Sequence, residues 1–443
     1  MECMVENIKQ SLLLLFIGIV SYIIVFLINA VLSRYMTSDV YGDYTVALSL
    51  MDIVASIILL GTNSSANRFI PRLYQDRNFE QLLGYLVWNA NLLKKSFLVC
   101  FSVAALLAGI ALFMHFYGYM KFEEYHLAFH ALWIAPLAAL VLLCSNYFIS
   151  IRHTILGSIF QSFAINGLML VCFLAAIFFF ELTLGGDGTV ITTWVVSFGI
   201  LLFIQVAILK WKDFTFLSTL KNVFSKNNTY KDEIWKKSTT SFMVISIVNS
   251  LIWYLDLFIV ELAGRQEGST GYYSAILVIT RVIYIIPFYI GLSIASSVSY
   301  YFNKPNQYPR LQQVVNSANF VNFIVSVLML LVIIGYHEEI LNFFGAAYKS
   351  VGKALIILAF GTCIVSIARV PRIILLYSGH ENFMLHSAII TLLLILIAGI
   401  PATYYWGVNG IAWVSTVILS LQSLFFIIFN RVFMRRFKSL TLF

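Results

Sequence analysis

Residues 11–32 read SLLLLFIGIVSYIIVFLINAVL, and none of these side chains carries a charge. The hydrocarbon core of a bilayer is about 30 Å thick, which a helix of roughly 20 apolar residues can span. A cleavable signal peptide has an apolar region of only about 7–15 residues, followed by small residues at its cleavage site. This stretch is longer and lacks such a site, so it predicts a first transmembrane helix.

Similar runs recur through the whole sequence. Of its 443 residues, 60% are hydrophobic and 11% are charged, whereas soluble domains contain roughly 25% charged residues. The sequence therefore predicts an all-α membrane protein with about twelve transmembrane helices and no sizeable soluble domain. The predicted spans are 11–32, 44–61, 96–114, 127–149, 155–180, 190–209, 239–262, 272–299, 315–335, 354–376, 383–400 and 408–430.

The 28 lysines and arginines are distributed unevenly between alternate connections. With a cytoplasmic N-terminus, 22 of them, including Arg152, fall on the cytoplasmic side, five, including Arg34, fall on the other, and Arg281 lies within a span. Cytoplasmic loops of membrane proteins carry such an excess of Lys and Arg. We therefore expect a multi-pass protein of the cell inner (cytoplasmic) membrane with both termini cytoplasmic.

The net charge of +8 does not predict a nucleic-acid partner. The basic residues are scattered among short loops, without the basic patch that a nucleic-acid surface needs. Four of the five cysteines lie within apolar spans without CxxC spacing, so we interpret them as small core residues rather than metal ligands or disulfides. HExxH, GxSxG and Walker motifs are absent from the sequence, so we expect neither an enzyme nor a cofactor.

The long connection after the sixth span divides the sequence into two halves. We expect an N-terminal lobe at 1–212, a cytoplasmic linker at 213–238 and a C-terminal lobe at 239–443, each lobe with six spans. A repeat supports this division: VYGDY at 40–44 aligns with STGYY at 269–273, and GGDG at 185–188 aligns with GVNG at 407–410. Six spans in each half give both halves the same orientation in the membrane. We therefore expect them to be related by an axis along the membrane normal.

Two segments on the predicted cytoplasmic side are amphipathic, and we expect both to lie on the lipid surface as anchors. The first, at 78–95, has Asn78 and Gln81 at capping-box-like spacing and ends in Lys94 and Lys95. Its apolar positions are Phe79, Leu82, Leu83, Leu86 and Leu93. The second lies in the linker, with apolar positions Phe216, Leu217, Leu220, Val223 and Phe224.

Three ionisable residues are predicted at membrane depth: Asp52 in the second span, Asp256 in the seventh and Arg281 in the eighth. Such groups cost several kcal/mol unless they face a partner or water, so they are functional candidates. The motifs VYGDY and STGYY begin 229 positions apart. The same offset aligns Asp52 with Arg281, so an acid in one half corresponds to a base in the other. Two interpretations stay open: these charges face a wet passage, or they pair and hold helices together.

Polar residues accompany these charges at helical spacing. In the second span the shared face is Thr45, Ser49, Asp52 and Ser56; in the seventh it is Asn249, Trp253 and Asp256; in the eighth it is Ser274, Arg281 and Tyr284. The tenth span carries Thr362, Ser366 and Arg369, with the kink-prone Pro371 and Arg372 beyond. Arg369 and Arg372 either bind an anion or extend to the membrane interface. We expect interhelical hydrogen bonds from Thr362, Asn316 and Asn319.

Several motifs, taken in order, resemble one known family. They are LSRYMTSDVYGDY at 32–44, RFIPR at 68–72, NFFGAAY at 342–348, YSGH at 377–380 and GVNGIA at 407–412. The chain is similar over essentially its whole length to Wzx-type polysaccharide (O-antigen, lipid-linked oligosaccharide) flippases. These belong to the multidrug/oligosaccharidyl-lipid/polysaccharide exporter superfamily.

The resemblance implies two six-helix lobes around a central cavity, and transport by alternating access. The implied substrate is an oligosaccharide on undecaprenyl diphosphate, flipped across the cytoplasmic membrane for polysaccharide and lipopolysaccharide biosynthesis. The candidate diphosphate-binding residues are Arg281, Arg369, Arg372 and Arg68; Asp52 and Asp256 are candidates for coupling to H⁺ or Na⁺, or for charge pairing. We expect a monomer in contact with membrane lipid and with polysaccharide assembly proteins.

Two other functions compete with this one. The first is a cation-coupled multidrug or small-molecule antiporter of the same superfamily, in which Asp52 or Asp256 is the carboxylate that titrates. The second is a membrane-embedded polysaccharide polymerase or ligase, which needs a large outer loop for its catalytic surface. The longest connection in this chain is predicted to face inward, which disfavours the polymerase.

Overall fold

The structure is a computed structural model that describes residues 2–75, 79–117, 126–151, 153–180, 187–212, 233–301, 308–377 and 380–433. Most of the predicted linker at 213–238, with its amphipathic segment, lies outside the described residues, as do Arg152 and Asn78.

The regular elements of the described ranges are all helical. They are α1 (Glu2–Tyr35), α2 (Ser38–Leu59), α3 (Thr62–Gln75), α4 (Phe79–Phe116), α5 (His126–Ser150), α6 (Thr154–Ser158), a π-helical turn (Ile159–Ala164), α7 (Ile165–Phe180), α8 (Asp187–Lys212), α9 (Glu233–Ala263), α10 (Ser269–Tyr301), α11 (Tyr308–Gly335), α12 (His337–Asn342), a 3₁₀ turn (Ala346–Val351), α13 (Gly352–Ile367), α14 (Arg369–Tyr377) and α15 (Glu381–Phe433).

Within the described ranges, eleven helical stretches are long and apolar enough to cross a membrane. The last of them, in α15, is 50 residues long, and Gly407 interrupts it with non-helical angles of φ 58° and ψ −143°. Divided there, α15 supplies two spans, which gives twelve within the residues that the structure describes. The predicted all-α membrane fold with about twelve spans is confirmed.

The two halves of α15 form an antiparallel hairpin. A Cβ added at Gly410 would collide with the carbonyl of Ala402, and the Gln422 side chain donates a hydrogen bond to the Ser387 hydroxyl across 3.3 Å. Gly407 lies at the reversal because its positive φ is costly for residues that have a side chain. The hairpin therefore turns at a single residue.

Helix α4 has 38 residues and joins two elements that the sequence predicts separately. The lipid-surface anchor predicted at 78–95 is wrong, because this segment continues without a break into the third span. Leu82 and Leu86 of its apolar face are buried in protein. Tyr85 on the same segment packs edge-on against Trp235, with ring centroids 5.4 Å apart. The apolar face therefore has a protein partner.

The predicted tenth span at 354–376 is also corrected. Its helix ends at Ile367, Ala368 leaves the helical region with ψ near 5°, and α14 begins at the next residue. Pro371 explains the break, because its ring clashes with the carbonyl four positions earlier and it has no N–H to donate. Pro371 lies in the first turn of α14. The N–H groups of a first turn have no intrahelical acceptor, so proline costs no hydrogen bond there.

The chain folds into two compact units, Met1–Gly42 with Leu251–Phe443, and Asp43–Ser250. The predicted lobes at 1–212 and 239–443 group the helices differently, and that division stays a prediction. In the structure α1 belongs to the unit that contains α10, and the Tyr22 hydroxyl donates a hydrogen bond to the carbonyl of Val278.

The first repeat motif marks a helix crossing within the first of these units. A Cβ at Gly42 would lie 2.9 Å from the backbone nitrogen of Gly271, its partner in the sequence alignment. The Asp39 carboxylate accepts a hydrogen bond from the backbone N–H of Gly268, which is also its repeat partner. The start of α2 and the start of α10 thus meet through equivalent positions, and only glycine permits this approach.

Candidate functional site

Arg281 of α10 lies against the neighbouring helix α9. Its Nη2 donates to the backbone carbonyl of Trp253 over 2.9 Å. The guanidinium carbon is 5.0 Å from the ring centroid of Trp253 and 5.4 Å from that of Tyr254. Its Nε has no hydrogen-bond partner among the described residues. The half-buried guanidinium therefore keeps unused donor capacity.

Asp256, one turn further along α9, is 7% exposed. Its Oδ2 accepts a hydrogen bond of 3.1 Å from the Tyr273 hydroxyl of α10, and the Ser415 hydroxyl of α15 also lies close to the carboxylate. Arg281 lies over the ring of Trp253, which precedes Asp256 by one turn on the same helix. The acid and the base predicted at membrane depth thus belong to one neighbourhood, although the guanidinium donates to a carbonyl.

Arg369 opens α14, after the break at Ala368. Its Nη1 donates to the Tyr284 hydroxyl over 2.7 Å, and its guanidinium carbon lies 5.0 Å from the ring centroid of Phe288. A Cβ at Gly291 of α10 would lie 2.9 Å from the Arg369 Nε. The absent side chain of this glycine leaves the space that the guanidinium occupies.

An aromatic pair connects the two arginines. The rings of Trp253 and Tyr284 meet edge to face, with centroids 5.4 Å apart and planes at 69°. Arg281 lies over the first ring, and Arg369 is hydrogen-bonded to the second. We call Arg281, Trp253, Tyr284, Phe288 and Arg369 the arginine–aromatic cluster. It lies wholly within the unit that contains Leu251–Phe443.

This arrangement suits an anion that also has an apolar part. Guanidinium groups bind phosphates and carboxylates in a planar, two-pronged geometry, and they keep their charge at any physiological pH. Aromatic faces offer stacking area to a ring or a chain. The described residues contain no group of three or more His, Cys, Asp or Glu side chains that could hold a metal ion.

The other predicted site residues lie elsewhere. Arg372 is a half-buried residue of α14, whereas Arg68 is exposed on α3, 5.7 Å from the ring of Phe69. Asp52 is a half-buried residue of α2. Arg68 and Asp52 belong to the unit Asp43–Ser250. The roles assigned to all six candidates stay predictions.

The polar faces predicted around these charges have mixed outcomes. In α2, Thr45 and Ser49 are buried, and the Ser49 hydroxyl donates to the Thr45 carbonyl over 2.7 Å. Thr362, expected to bond across helices, instead donates to the carbonyl of Leu358 in its own helix over 2.9 Å. A threonine hydroxyl reaches the carbonyl four residues earlier without any neighbour, which explains this difference.

Phe288, Gly291 and Tyr273 were missed as site residues. Phe288 follows Tyr284 by four positions and Arg281 by seven, so helical periodicity alone places it on the same face. Tyr273 lies in the repeat motif, but nothing in the sequence pairs it with Asp256. Gly291 precedes Arg369 by 78 positions, and the closeness of the two depends on tertiary packing.

Solved structures with a similar fold cover almost the whole chain. A mutant of the MATE transporter VcmN of Vibrio cholerae is 12% identical, with a TM-score of 0.66 and 98% of both chains covered. The chain has the MATE transporter fold. The eukaryotic MATE transporter AtDTX14 is 14% identical, with a TM-score of 0.62 over 97% of this chain and 96% of its own.

A third MATE-fold structure is a MOP superfamily transporter from Pyrococcus furiosus, for which reverse polarity of the binding pocket suggests a different function. It is 15% identical, with a TM-score of 0.65, and covers 97% of this chain and 95% of its own. No protein-family model matches the sequence, and no curated protein matches it. The TM-scores of 0.62 to 0.66 establish the MATE fold, whereas identities of 12% to 15% leave the substrate open.

Proposed function

We propose that this chain is a membrane transporter that works by alternating access and flips undecaprenyl-diphosphate-linked oligosaccharide across the cytoplasmic membrane. The observation that supports this is the arginine–aromatic cluster, in which two guanidinium groups flank an aromatic pair. The proposed roles are diphosphate binding by Arg281 and Arg369, and sugar stacking by Trp253 and Tyr284. Arg372 and Arg68 are proposed to attract the headgroup at the cytoplasmic mouth.

The electrostatics of the substrate favour this assignment. A diphosphate that leaves water without a partner loses its solvation, which costs far more than transport can supply. Two fixed cations replace part of that solvation, and hydrogen bonds to charged groups contribute roughly 1.5–3 kcal/mol each. Each guanidinium group of the cluster also donates to a neutral oxygen, the Trp253 carbonyl for Arg281 and the Tyr284 hydroxyl for Arg369.

A cation-coupled multidrug antiporter is the second candidate. One solved structure of similar fold is a multidrug resistance MATE family transporter, 15% identical with a TM-score of 0.63, and this resemblance favours the antiporter over the flippase. Asp256 supplies a buried carboxylate for such a mechanism. It is the proposed coupling residue, with H⁺ or Na⁺ as the ion.

Reconstituted full-length protein separates the two. The flippase is measured as the rate at which a fluorescent undecaprenyl-diphosphate oligosaccharide becomes accessible to a membrane-impermeant quencher. Loss of one charged hydrogen bond of roughly 1.5–3 kcal/mol predicts that Arg281→Ala binds this lipid about 10- to 100-fold more weakly. Arg265→Ala is the matched control, because Arg265 also lies over an aromatic ring, that of Tyr404, but outside the cluster.

Equal flipping by Arg281→Ala and the wild type would remove this arginine from the mechanism. Efflux of a cationic dye driven by an ion gradient, with no flipping of the labelled lipid by the wild type, would establish the antiporter instead.

A further inference from the structure

Helix α4 changes its surroundings at Lys94 and Lys95. Before them, Leu82, Tyr85 and Leu86 are packed inside the protein. After them the helix is largely uncovered, and side chains such as Leu98, 66% exposed, point away from the protein. From Lys95 to the end of α4 at Phe116 the helix rises about 32 Å at 1.5 Å per residue, close to the roughly 30 Å of a bilayer core. Lys94 and Lys95 therefore mark one membrane interface.

A groove begins at this level and runs along the exposed side of α4. It has a volume of about 410 Å³ and lies between α2, α4 and α5. Ile57 forms one wall, Lys95, Val99 and Val103 form the other, and Ala104 and Leu132 also line it. Val99 is 60% exposed and Ile57 is 43% exposed, so the groove opens outward. All these residues belong to the unit Asp43–Ser250.

The chemistry of the lining is strongly graded. Among the described residues that line the groove, Lys95 alone is charged, and every lining position beyond the neighbouring Ser96 towards Ala104 is apolar or a cysteine. An amphipath with one anionic end and one hydrocarbon chain has this same gradient. Membrane lipids of the leaflet beside Lys95 present a phosphate at the height of the lysine and a chain at the height of Val99 and Val103.

We propose that this groove is a binding site for one anionic phospholipid. Its phosphate pairs with Lys95, and one acyl chain lies between α2 and α4. Under the predicted topology the lipid belongs to the cytoplasmic leaflet. The groove shares no residue with the arginine–aromatic cluster, and we assign it a structural or regulatory lipid rather than the transported one.

The test uses full-length protein in phosphatidylcholine vesicles that contain a small fraction of phosphatidylglycerol with a photoreactive diazirine on one acyl chain. After irradiation, labelled positions are mapped by peptide mass spectrometry. Labels are expected to concentrate on Ile57, Val99 and Val103, and unlabelled phosphatidylglycerol should compete better than added phosphatidylcholine.

The matched pair of variants is Lys95→Gln and Lys94→Gln. Both lysines are exposed at the same depth, but only Lys95 lines the groove. Lys95→Gln is expected to lower labelling of the groove about fivefold, which corresponds to ~1 kcal/mol for one lysine beside an anionic lipid. Lys94→Gln should leave it unchanged. Ala104→Phe, which fills the groove, should abolish labelling there.

Equal loss in the two lysine variants, or labels spread evenly along the exposed face of α4, would overturn the proposal, since either result describes lipids that merely surround the protein. The lysine pair decides the question even if Ala104→Phe does not fold.

Discussion

Tyr284→Phe tests whether the aromatic pair positions Arg369. The change removes one oxygen, the acceptor of the 2.7 Å hydrogen bond from Arg369 Nη1, and it keeps the ring that packs against Trp253. A hydrogen bond to a charged group is worth roughly 1.5–3 kcal/mol. The guanidinium retains its contact with Phe288 at 5.0 Å, and such contacts are worth from about 0.5 kcal/mol at exposed sites to about 2 kcal/mol where they are desolvated. Because this retained contact still holds the guanidinium in place, we expect Tyr284→Phe to cost about 1.5 kcal/mol, the lower end of the range for the hydrogen bond.

Affinity for the labelled diphosphate lipid should therefore fall about tenfold in Tyr284→Phe. The assay is a titration of the initial flipping rate in proteoliposomes, with Arg369→Ala and the double variant measured in parallel. If the hydroxyl acts through the arginine, the double variant should be no worse than Arg369→Ala alone. Losses that add in the double variant, or an unchanged affinity in Tyr284→Phe, would refute this reasoning.

Two further predictions concern the helix crossing and the buried acid. Gly42→Ala places a methyl group about 2.9 Å from the Gly271 nitrogen and should lower stability by about 1–3 kcal/mol. Gly109→Ala, where the structure places no atom within 4 Å, should raise stability by about 0.5–1 kcal/mol; thermal unfolding in detergent compares the two, and equal shifts would contradict the crossing. Asp256→Asn preserves the side chain's shape but cannot titrate, so transport driven by an ion gradient should fall to its rate without a gradient. An unchanged response to the gradient would place coupling at another residue.

The membrane fold was predictable because its cause is local. A spanning helix needs only a long apolar run, and the runs at 11–32 and 127–149 correspond to helices α1 and α5. The errors appear where local pattern and tertiary packing disagree. The segment around Leu82 has the pattern of a surface anchor, but whether such a face meets lipid or protein depends on distant residues such as Trp235.

The sequence predicts the charged residues of the candidate site better than it predicts the contacts that they make. Arg281 and Asp256 stand out because charge is rare in apolar spans. Their neighbours Trp253 and Tyr284 follow from helical periodicity. The hydrogen bond from Arg369 to Tyr284 joins residues 85 positions apart. It depends on the helix break at Ala368, because the break sets the direction in which α14 continues. The sequence does not reveal that direction. Pro371 predicts a kink at this place, but the kink alone does not identify the helix that Arg369 meets.

The single-residue turn at Gly407 has a consequence for how the polypeptide is made. No loop separates the last two spans. When the first of them reaches the membrane during translation, no hydrophilic segment has to be translocated before the second span emerges from the ribosome. We expect the pair to enter the bilayer together, as one preassembled unit. If translation stops or shifts frame between the two spans, the first span should therefore remain in the membrane without its partner and be degraded by quality-control proteases.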